Sequence, residues 1–396
     1  MKKNFLLTII LLIFCVGCSS SEAIEKSTNQ TTKKILIKEL MPAEYTQLSA
    51  TSPITITFNQ AIDSTSVLPA IYINRNKTKA AGKWTISHGN TLTFKPAENW
   101  PANTLVTLEI LEGLLSTEGS TIDLSKKSVY KYIVETDKDY GKCNEILIDT
   151  MAMVDYPQSG HVLQLKLALP TNIPKKMPVH IWVHGGGWSG GTAALSKAAN
   201  SPHRIYLAEN LGIATMSISY RCKGSKGNFA LAMEDIATAY KWLIDNASTY
   251  HFDTTKIFFS GGSAGTPLAA LSAQRFDGVI GFIGFNGIYN FAEDEGSWGS
   301  GNDFKQEEPN AKANSPFYQL RDNPPATILM HGDADTTIPY TQSTLFAQKI
   351  NTSGGSARVI IYPGEKHAFF NKGKPAYKDV LIETVNFMRE VLENNK

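Results

Sequence analysis

From about Asp137 to the C-terminus, short apolar runs alternate with longer segments whose apolar residues recur at helical spacing. Runs of this length are typical of buried strands, and the longer segments place their apolar side chains on one helix face. This alternation predicts an α/β fold with a mostly parallel central sheet. The strand candidates are 179–183, 213–218, 257–259, 279–285, 326–330 and 358–362; the helical spacing is carried by Ile236, Tyr240, Leu243 and Ile244, and by Leu381, Val385, Met388 and Leu392.

In residues from about 35 to 134, the apolar residues recur with a different period. Short segments alternate polar and apolar residues, as in Ile54-Thr55-Ile56-Thr57-Phe58, and turn-forming residues separate them. This pattern predicts half-buried strands in an all-β sandwich of about 100 residues. With 396 residues and 42% hydrophobic content, the chain is long and apolar enough for two folded domains.

Four strand candidates of the C-terminal region are followed by groups suited to acyl transfer. In an α/β sheet the functional loops lie at the carboxyl ends of the strands. One loop carries a G-x-S-x-G pentapeptide, in which a sharp turn exposes a serine and small flanking residues avoid a clash. The four stretches are His184-Gly185-Gly186-Gly187-Trp188, Gly261-Gly262-Ser263-Ala264-Gly265, 331–339 and 363–369.

The reactive residues of these loops occur in the chain order Ser263, Asp335, His367. Each motif alone is weak, and the pentapeptide alone also fits an ordinary glycine-rich turn. Their order is that of an α/β-hydrolase triad, and four such motifs, each following a strand candidate, favour this interpretation over coincidence.

With these motifs, residues from about 141 to 396 resemble an α/β-hydrolase of the esterase/lipase group with an HGGGW loop. The resemblance extends to Ile218-Ser219-Tyr220-Arg221, Ala232-Met233-Glu234-Asp235 and Asn314-Ser315-Pro316. Within the group, the chain is similar to exported bacterial acetylxylan and feruloyl esterases. The resemblance implies carboxylic ester hydrolysis without a metal or an organic cofactor.

The mechanism of this class assigns the roles. Ser263 is the expected nucleophile, His367 the general base and then acid, and Asp335 the residue that orients the imidazole. The backbone N–H groups of Gly186, Gly187 and Ala264 are the expected oxyanion hole.

Two acidic residues follow the same strand. Asp335 fits the form HG-x-x-D-x-x-[VI]-P, and Asp333 is the alternative, otherwise expected to stabilise a turn. His331 is interpreted as a packing or hydrogen-bonding residue, and His184 as a loop-shaping residue. Trp188 and Tyr220 are candidates for the substrate pocket, with structural packing as the alternative, and an irregular loop over the site is expected at 291–314.

The N-terminus reads as a secretory signal: Lys2 and Lys3 precede an apolar stretch, and small residues lead to Cys18. It resembles a bacterial lipoprotein signal, which implies lipidation of Cys18 and export to a membrane. Cys15 stands where leucine is common, so a conventional or a retained signal peptide is the alternative. The expected boundaries are 1–18 for the signal peptide, 19–34 for a flexible tether, 35–137 for the β-sandwich and 138–396 for the hydrolase.

Export leaves Cys143 and Cys222 as the two remaining thiols, in a compartment that permits a disulfide between them. Two separate thiols are the alternative, and the pair is too small a ligand set for zinc. The charge balance of 38 basic and 36 acidic residues, without a basic run, argues against nucleic acid as a partner.

The segment 35–137 resembles bacterial Ig-like domains, on the order Pro42, Ile54–Asn59, Thr91–Pro96 and a closing strand before Thr136. A spacer role is expected, with glycan binding by Trp84 and Trp100 as the alternative. The predicted function is therefore that of an exported, lipid-anchored serine esterase acting on acetyl, feruloyl or other aryl esters of polysaccharides. The alternatives are a prolyl-oligopeptidase-like peptidase and an inactive hydrolase fold used for adhesion; acyl and alcohol specificity, membrane leaflet and oligomeric state stay open.

Overall fold

A computed structural model of the chain describes most of its length. The predicted signal peptide, Cys18 and nearly all of the predicted tether lie outside the described residues. Within the described part, none of the helices is both long and apolar enough to cross a membrane. The described residues are 33–125, 127–148, 163–188, 201–222, 227–292 and 310–395.

The N-terminal region is a sandwich of two sheets. One sheet has the order β1-β3-β7-β6 and the other β2-β9-β8-β4-β5. Strand β3 buries Ile54, Ile56 and Phe58 while the intervening threonines stay partly exposed, so its alternating sequence fits one buried face. The elements are β1 Ile37–Met41, β2 Gln47–Leu48, β3 Ile54–Phe58, α1 Ser64–Ala70, β4 Ile71–Arg75, β5 Thr78–Lys79, β6 Gly82–Ser87, β7 Thr91–Pro96, β8 Leu105–Ile110 and β9 Val129–Val134.

Two tryptophans of this sandwich pack against its hydrophobic core. Trp100 is 3% exposed, lies against Phe94 and donates from its indole N–H to the Ser52 carbonyl at 2.8 Å. Trp84 also packs on Phe94. Packing, rather than glycan binding, therefore accounts for Trp100.

The C-terminal region contains an eight-stranded sheet of order β10-β11-β13-β12-β14-β15-β16-β17. The six strands from β12 onward pair in parallel, as predicted, and β10 and β11 add an antiparallel edge that the sequence patterns did not reveal. The strands are β10 Cys143–Ile148, β11 Leu165–Pro170, β12 Met177–Val183, β13 Ala214–Ile218, β14 Phe252–Gly262, β15 Val279–Phe285, β16 Ala326–Gly332 and β17 Ala357–Tyr362.

Helices cover both faces of this sheet. Apolar residues of α3, α5 and α7 pack on one face, and those of α2 and α8 on the other. The Asn228 side chain caps the start of α3 by accepting from the Leu231 N–H. The helices are α2 Arg204–Leu211, α3 Phe229–Asp245, α4 Ala247–Tyr250, α5 Gly265–Arg275, α6 Asn310–Asn314, α7 Thr341–Thr352 and α8 Tyr377–Asn394, with a 3-10 turn at Pro316–Tyr318.

The possible disulfide between Cys143 and Cys222 is not formed, since both cysteines are free. Cys143 opposes Pro170 at one end of β11, whereas β13, which Cys222 follows, opposes the other end at Leu165. That separation of several strand residues is well beyond the Cα distance that a disulfide spans. Burial raises the pKa of the Cys222 thiol to about 12, which makes it a poor nucleophile.

The sandwich docks onto α8 through a partly buried ion cluster. Lys131 of β9 lies 3.0 Å from the Asp379 carboxylate and 2.7 Å from that of Glu383. Burial alone lowers the pKa of Lys131, but the two carboxylates outweigh it and raise the pKa above its usual value. Ile133, 3% exposed, joins the apolar cluster that contains residues of α2 and α8. The two domains are therefore in direct contact.

Replacing Lys131 with methionine is expected to lower the free energy of unfolding by about 2–3 kcal/mol, because two partly buried carboxylates lose the ammonium group that lies nearest to both. Urea unfolding of parent and variant measures the change. The matched control is Lys241→Met, which breaks the Lys241–Asp245 pair on the exposed surface of α3 and is expected to cost below about 0.5 kcal/mol. Equal losses in the two variants would contradict a stabilising role for the Lys131 cluster.

Candidate active site

A strand-to-helix turn presents Ser263 at the carboxyl edge of the sheet. Strand β14 ends at Gly262 and α5 begins at Gly265, so a single turn must reverse the chain. Ser263 has a φ of 51°, a conformation rare for a residue with a side chain, and its N–H donates to the Phe285 carbonyl at 2.9 Å. The turn has the geometry that the G-x-S-x-G pattern predicted.

Crowding explains the glycines of this turn. A Cβ on Gly265 would lie 2.3 Å from the Val183 carbonyl oxygen, and one on Gly261 would lie 2.6 Å from the Gly265 oxygen. Real Cβ atoms do not approach backbone oxygens this closely, so only glycine fits at either position.

The glycine-rich loop after β12 lies directly against the serine. A Cβ on Gly185 would be 2.6 Å from the Gly262 oxygen and 3.1 Å from the Ser263 Cβ. Gly186 and Gly187 both have positive φ and are exposed. Ala264 is the residue before α5, where backbone N–H groups have no partner within the helix. The three residues predicted for the oxyanion hole thus lie on two adjoining segments, and their role stays a prediction.

Three reactive side chains form one hydrogen-bonded chain. His367 Nε2 lies 2.9 Å from Ser263 Oγ, and His367 Nδ1 lies 2.7 Å from Asp335 Oδ2. Ser263 is partly exposed, the His367 side chain is 24% exposed, and the Asp335 side chain is fully buried. A neutral imidazole in this position donates from Nδ1 to the carboxylate and accepts the serine proton at Nε2.

The surroundings keep Asp335 ionised. Burial alone raises the pKa of this carboxyl, but hydrogen bonds from His331, His367 and the Ile338 N–H outweigh burial and hold the pKa well below its usual value. Oδ1 accepts from the N–H groups of Thr337 and Ile338 at 2.8 and 3.0 Å. Buried His331 lies 3.3 Å from Oδ2, which agrees with the hydrogen-bonding role expected for it.

Asp333, the alternative acid, lies elsewhere. It is exposed and accepts a hydrogen bond from the Gly364 N–H at 2.7 Å, which closes the turn leading to His367. This is the turn-stabilising role expected for it.

Structural packing, the alternative to pocket lining, accounts for Tyr220. It is fully buried, stacks on the His184 ring and donates to the His184 carbonyl at 2.7 Å. Tyr220 thus supports the glycine-rich loop from behind. Trp188 is 4% exposed and faces Phe291, so packing accounts for it as well. Of the predicted irregular loop 291–314, residues 293–309 lie outside the described part of the chain, and Asn310–Asn314 form α6.

Asn286 is a residue of the site that the sequence analysis missed. It directly follows β15, is fully buried, and places Nδ2 3.4 Å from His367 Nε2. The only sequence indication was its position after a strand, in a loop without a recognised motif.

A buried histidine supports the strand below the serine. His180 of β12 hydrogen-bonds to Ser260 of β14. Burial lowers the pKa of His180 to about 3, and that of the nearby, equally buried His203 to about 3. Both rings are therefore neutral in the folded protein at neutral pH.

Three models of known families match parts of the chain. Residues 165–280 match the BD-FAE family, residues 225–392 match the dienelactone hydrolase family, and residues 21–132 match the bacterial Ig-like domain.

Individual relatives are esterases and related hydrolases. Isoprenylcysteine alpha-carbonyl methylesterase from Arabidopsis thaliana is 25% identical over 253 residues, covering 56% of this chain and 58% of that protein. Arylacetamide deacetylase from Oryctolagus cuniculus is 36% identical over 96 residues, covering 24% of this chain and 23% of that protein. The chain thus spans less than two thirds of the length of either relative.

A solved structure is similar to more than half of the chain. Esterase 2 of Thermogutta terrifontis, phosphonylated by cyclosarin, aligns with a TM-score of 0.53 and 26% identity, covering 63% of this chain and 94% of that one. The chain therefore combines a bacterial Ig-like domain with an α/β-hydrolase domain of the esterase group, as the sequence predicted.

The low pKa values of buried His180 and His203 predict that the folded protein loses stability in acid. Their pKa is near 3 when folded and near 6.5 when unfolded, so the unfolded chain binds more protons between these values and stability falls as pH drops below about 6.5. His180→Gln removes one such group, and its stability is expected to fall less steeply, by up to about 1 kcal/mol per pH unit. Urea unfolding at pH 7 and pH 4.5 measures the difference. His88→Gln, at an exposed position, is the control; a parent-like pH dependence in His180→Gln would contradict the assignment.

Proposed function

We propose that the chain is a serine hydrolase of carboxylic esters, with Ser263, His367 and Asp335 as its catalytic residues. The observation that carries the proposal is the continuous chain of hydrogen bonds from Ser263 Oγ through the imidazole to the buried carboxylate. The strained turn at Ser263 and the adjoining glycine-rich loop support it.

In the proposed acylation, Ser263 Oγ attacks the ester carbonyl carbon while His367 Nε2 accepts the hydroxyl proton. The N–H groups of Gly186, Gly187 and Ala264 stabilise the negative oxygen that forms, and each such donor typically contributes about 3–4 kcal/mol to the transition state. Collapse breaks the bond to the leaving alcohol, which takes the proton from Nε2. Asp335 stays ionised and stabilises the imidazolium.

The proposed substrates are acetyl, feruloyl or other aryl esters attached to polysaccharides. The resemblance to exported carbohydrate esterases supports this choice. The relatives named as a methylesterase and a deacetylase agree with the hydrolysis of a small ester or acetyl group. The phosphonylated esterase among the structural neighbours suggests that organophosphonates are suitable reagents for Ser263.

The expected result of a substrate panel is hydrolysis of short p-nitrophenyl esters, methyl ferulate and acetylated xylan, but not of a prolyl peptide. Ser263→Ala is expected to lower kcat/KM by more than about 10⁴-fold, because it removes the nucleophile. Asp335→Asn is expected to lower kcat/KM by about 10³- to 10⁴-fold, because the imidazole loses the carboxylate that orients it. Spectrophotometric rates and release of acetate from xylan measure both.

Asp333→Asn is the matched control for the acid. It keeps the oxygen that accepts from Gly364 and should retain activity within about 10-fold of the parent. Unchanged ester hydrolysis by Ser263→Ala overturns the nucleophile, and cleavage of the peptide alone favours the peptidase. No turnover and no organophosphonate labelling of the parent favour an inactive fold used for adhesion.

We also propose that the chain is exported and held at a bacterial membrane by lipid on Cys18. The N-terminal stretch, with two lysines followed by apolar residues, supports this location. In cells fed a labelled fatty acid, the parent is expected to carry the label in the membrane fraction, whereas Cys18→Ala should lose the label. Equal labelling of the two proteins would contradict lipidation at Cys18.

A further inference from the structure

Asn286 lies at the centre of the catalytic edge of the sheet. It follows β15, which pairs with β14 on one side and β16 on the other, the strands that precede Ser263 and Asp335. Its φ is 37°, and its N–H donates to the Met330 carbonyl at 2.9 Å. The backbone is thus tied to a neighbouring strand, which holds the side chain against His367.

The Asn286 carboxamide is buried but incompletely used. Nδ2 lies 3.4 Å from His367 Nε2, the atom that also faces Ser263 Oγ. Oδ1 is buried without a hydrogen-bond partner among the described residues. A buried amide oxygen without a donor is unfavourable, so such an atom beside a reactive group points to a bound partner.

A water molecule can donate one hydrogen to Asn286 Oδ1 and the other to His367 Nε2. Because both polar atoms belong to one carboxamide, Oδ1 lies within about 6 Å of His367 Nε2, a span that one water bridges. Orientation of the imidazole is an insufficient explanation for Asn286, since Asp335 already fixes the ring through Nδ1.

The reaction requires a water there after acylation. Once Ser263 Oγ carries the acyl group, it has no proton to donate, and Nε2 must accept the proton of a water molecule instead. We propose that the Asn286 carboxamide positions this hydrolytic water, with Oδ1 accepting one of its hydrogens and His367 Nε2 the other.

In this arrangement the water oxygen attacks the acyl carbonyl carbon and its proton passes to Nε2. Collapse of the intermediate breaks the bond to Ser263 Oγ, which takes the proton from Nε2, and the carboxylic acid leaves. Asn286 is a positioning residue for deacylation only. The inference rests on the proposed esterase function.

The test compares acylation and deacylation with p-nitrophenyl acetate. Asn286→Ala is expected to release the first equivalent of nitrophenol at a rate within about 3-fold of the parent, then turn over about 10- to 100-fold more slowly. Intact-protein mass spectrometry after acid quenching should show the variant carrying one acetyl group during turnover. Asn351→Ala is the control, because it removes an exposed asparagine that binds the Ala357 backbone at the start of β17.

Asn286→Asp keeps the acceptor oxygen in an isosteric side chain. It is expected to restore turnover to within about 10-fold of the parent, and its carboxylate, by favouring the imidazolium, should move the acidic limb of the rate profile to higher pH. If Asn286→Ala fails to fold by circular dichroism, this variant decides the question. A parent-like pH profile, or turnover as low as that of Ser263→Ala, would then overturn the inference.

With folded Asn286→Ala, unchanged turnover overturns the proposal, and so does slow turnover without an acetyl adduct, since acylation is then the affected step. A parent enzyme without Ser263-dependent ester turnover refutes the proposed function instead. The two failures are thereby distinguished.

Discussion

The close approach of two backbone segments is the constraint on which the site depends. Strands β12 and β14 pair in parallel with Val183 opposite Gly261, so the segments that follow them leave the sheet side by side. Gly185 and Gly265 allow these segments to touch where any side chain would collide with a carbonyl oxygen. The nucleophile and the expected oxyanion donors are therefore placed by sheet register, before any catalytic side chain makes a hydrogen bond.

A second layer of buried polar residues keeps this geometry fixed. Tyr220 supports the glycine-rich loop through the His184 carbonyl, and the adjacent Arg221 pairs with fully buried Asp235 of α3. On the opposite side, His331 and two backbone N–H groups hold Asp335. Such contacts matter because catalytic groups must stay within a fraction of an ångström of their working positions.

Sequence patterns revealed the parts of the fold in which local chemistry and tertiary structure agree. The run 279–285 matches β15. The G-x-S-x-G turn forms at Ser263 because its glycines avoid clashes with nearby backbone oxygens. The sequence patterns did not predict β10 and β11, because the polar pair Asn144-Glu145 shortens the apolar part of β10 and Lys166 interrupts the apolar residues of β11. Asn286 and the true environment of Tyr220 depend on which strands become neighbours, and a single sequence does not encode that pairing in any local pattern.

The docking of the Ig-like domain links two distant parts of the polypeptide. Lys131 and Asp379 are 248 positions apart, and the segment between them includes almost all of the hydrolase domain. In an unfolded chain, bringing two residues so far apart together has a large loop-closure entropy. The ion cluster is therefore expected to close after the hydrolase domain has folded, because folding already brings α8 close to its final position.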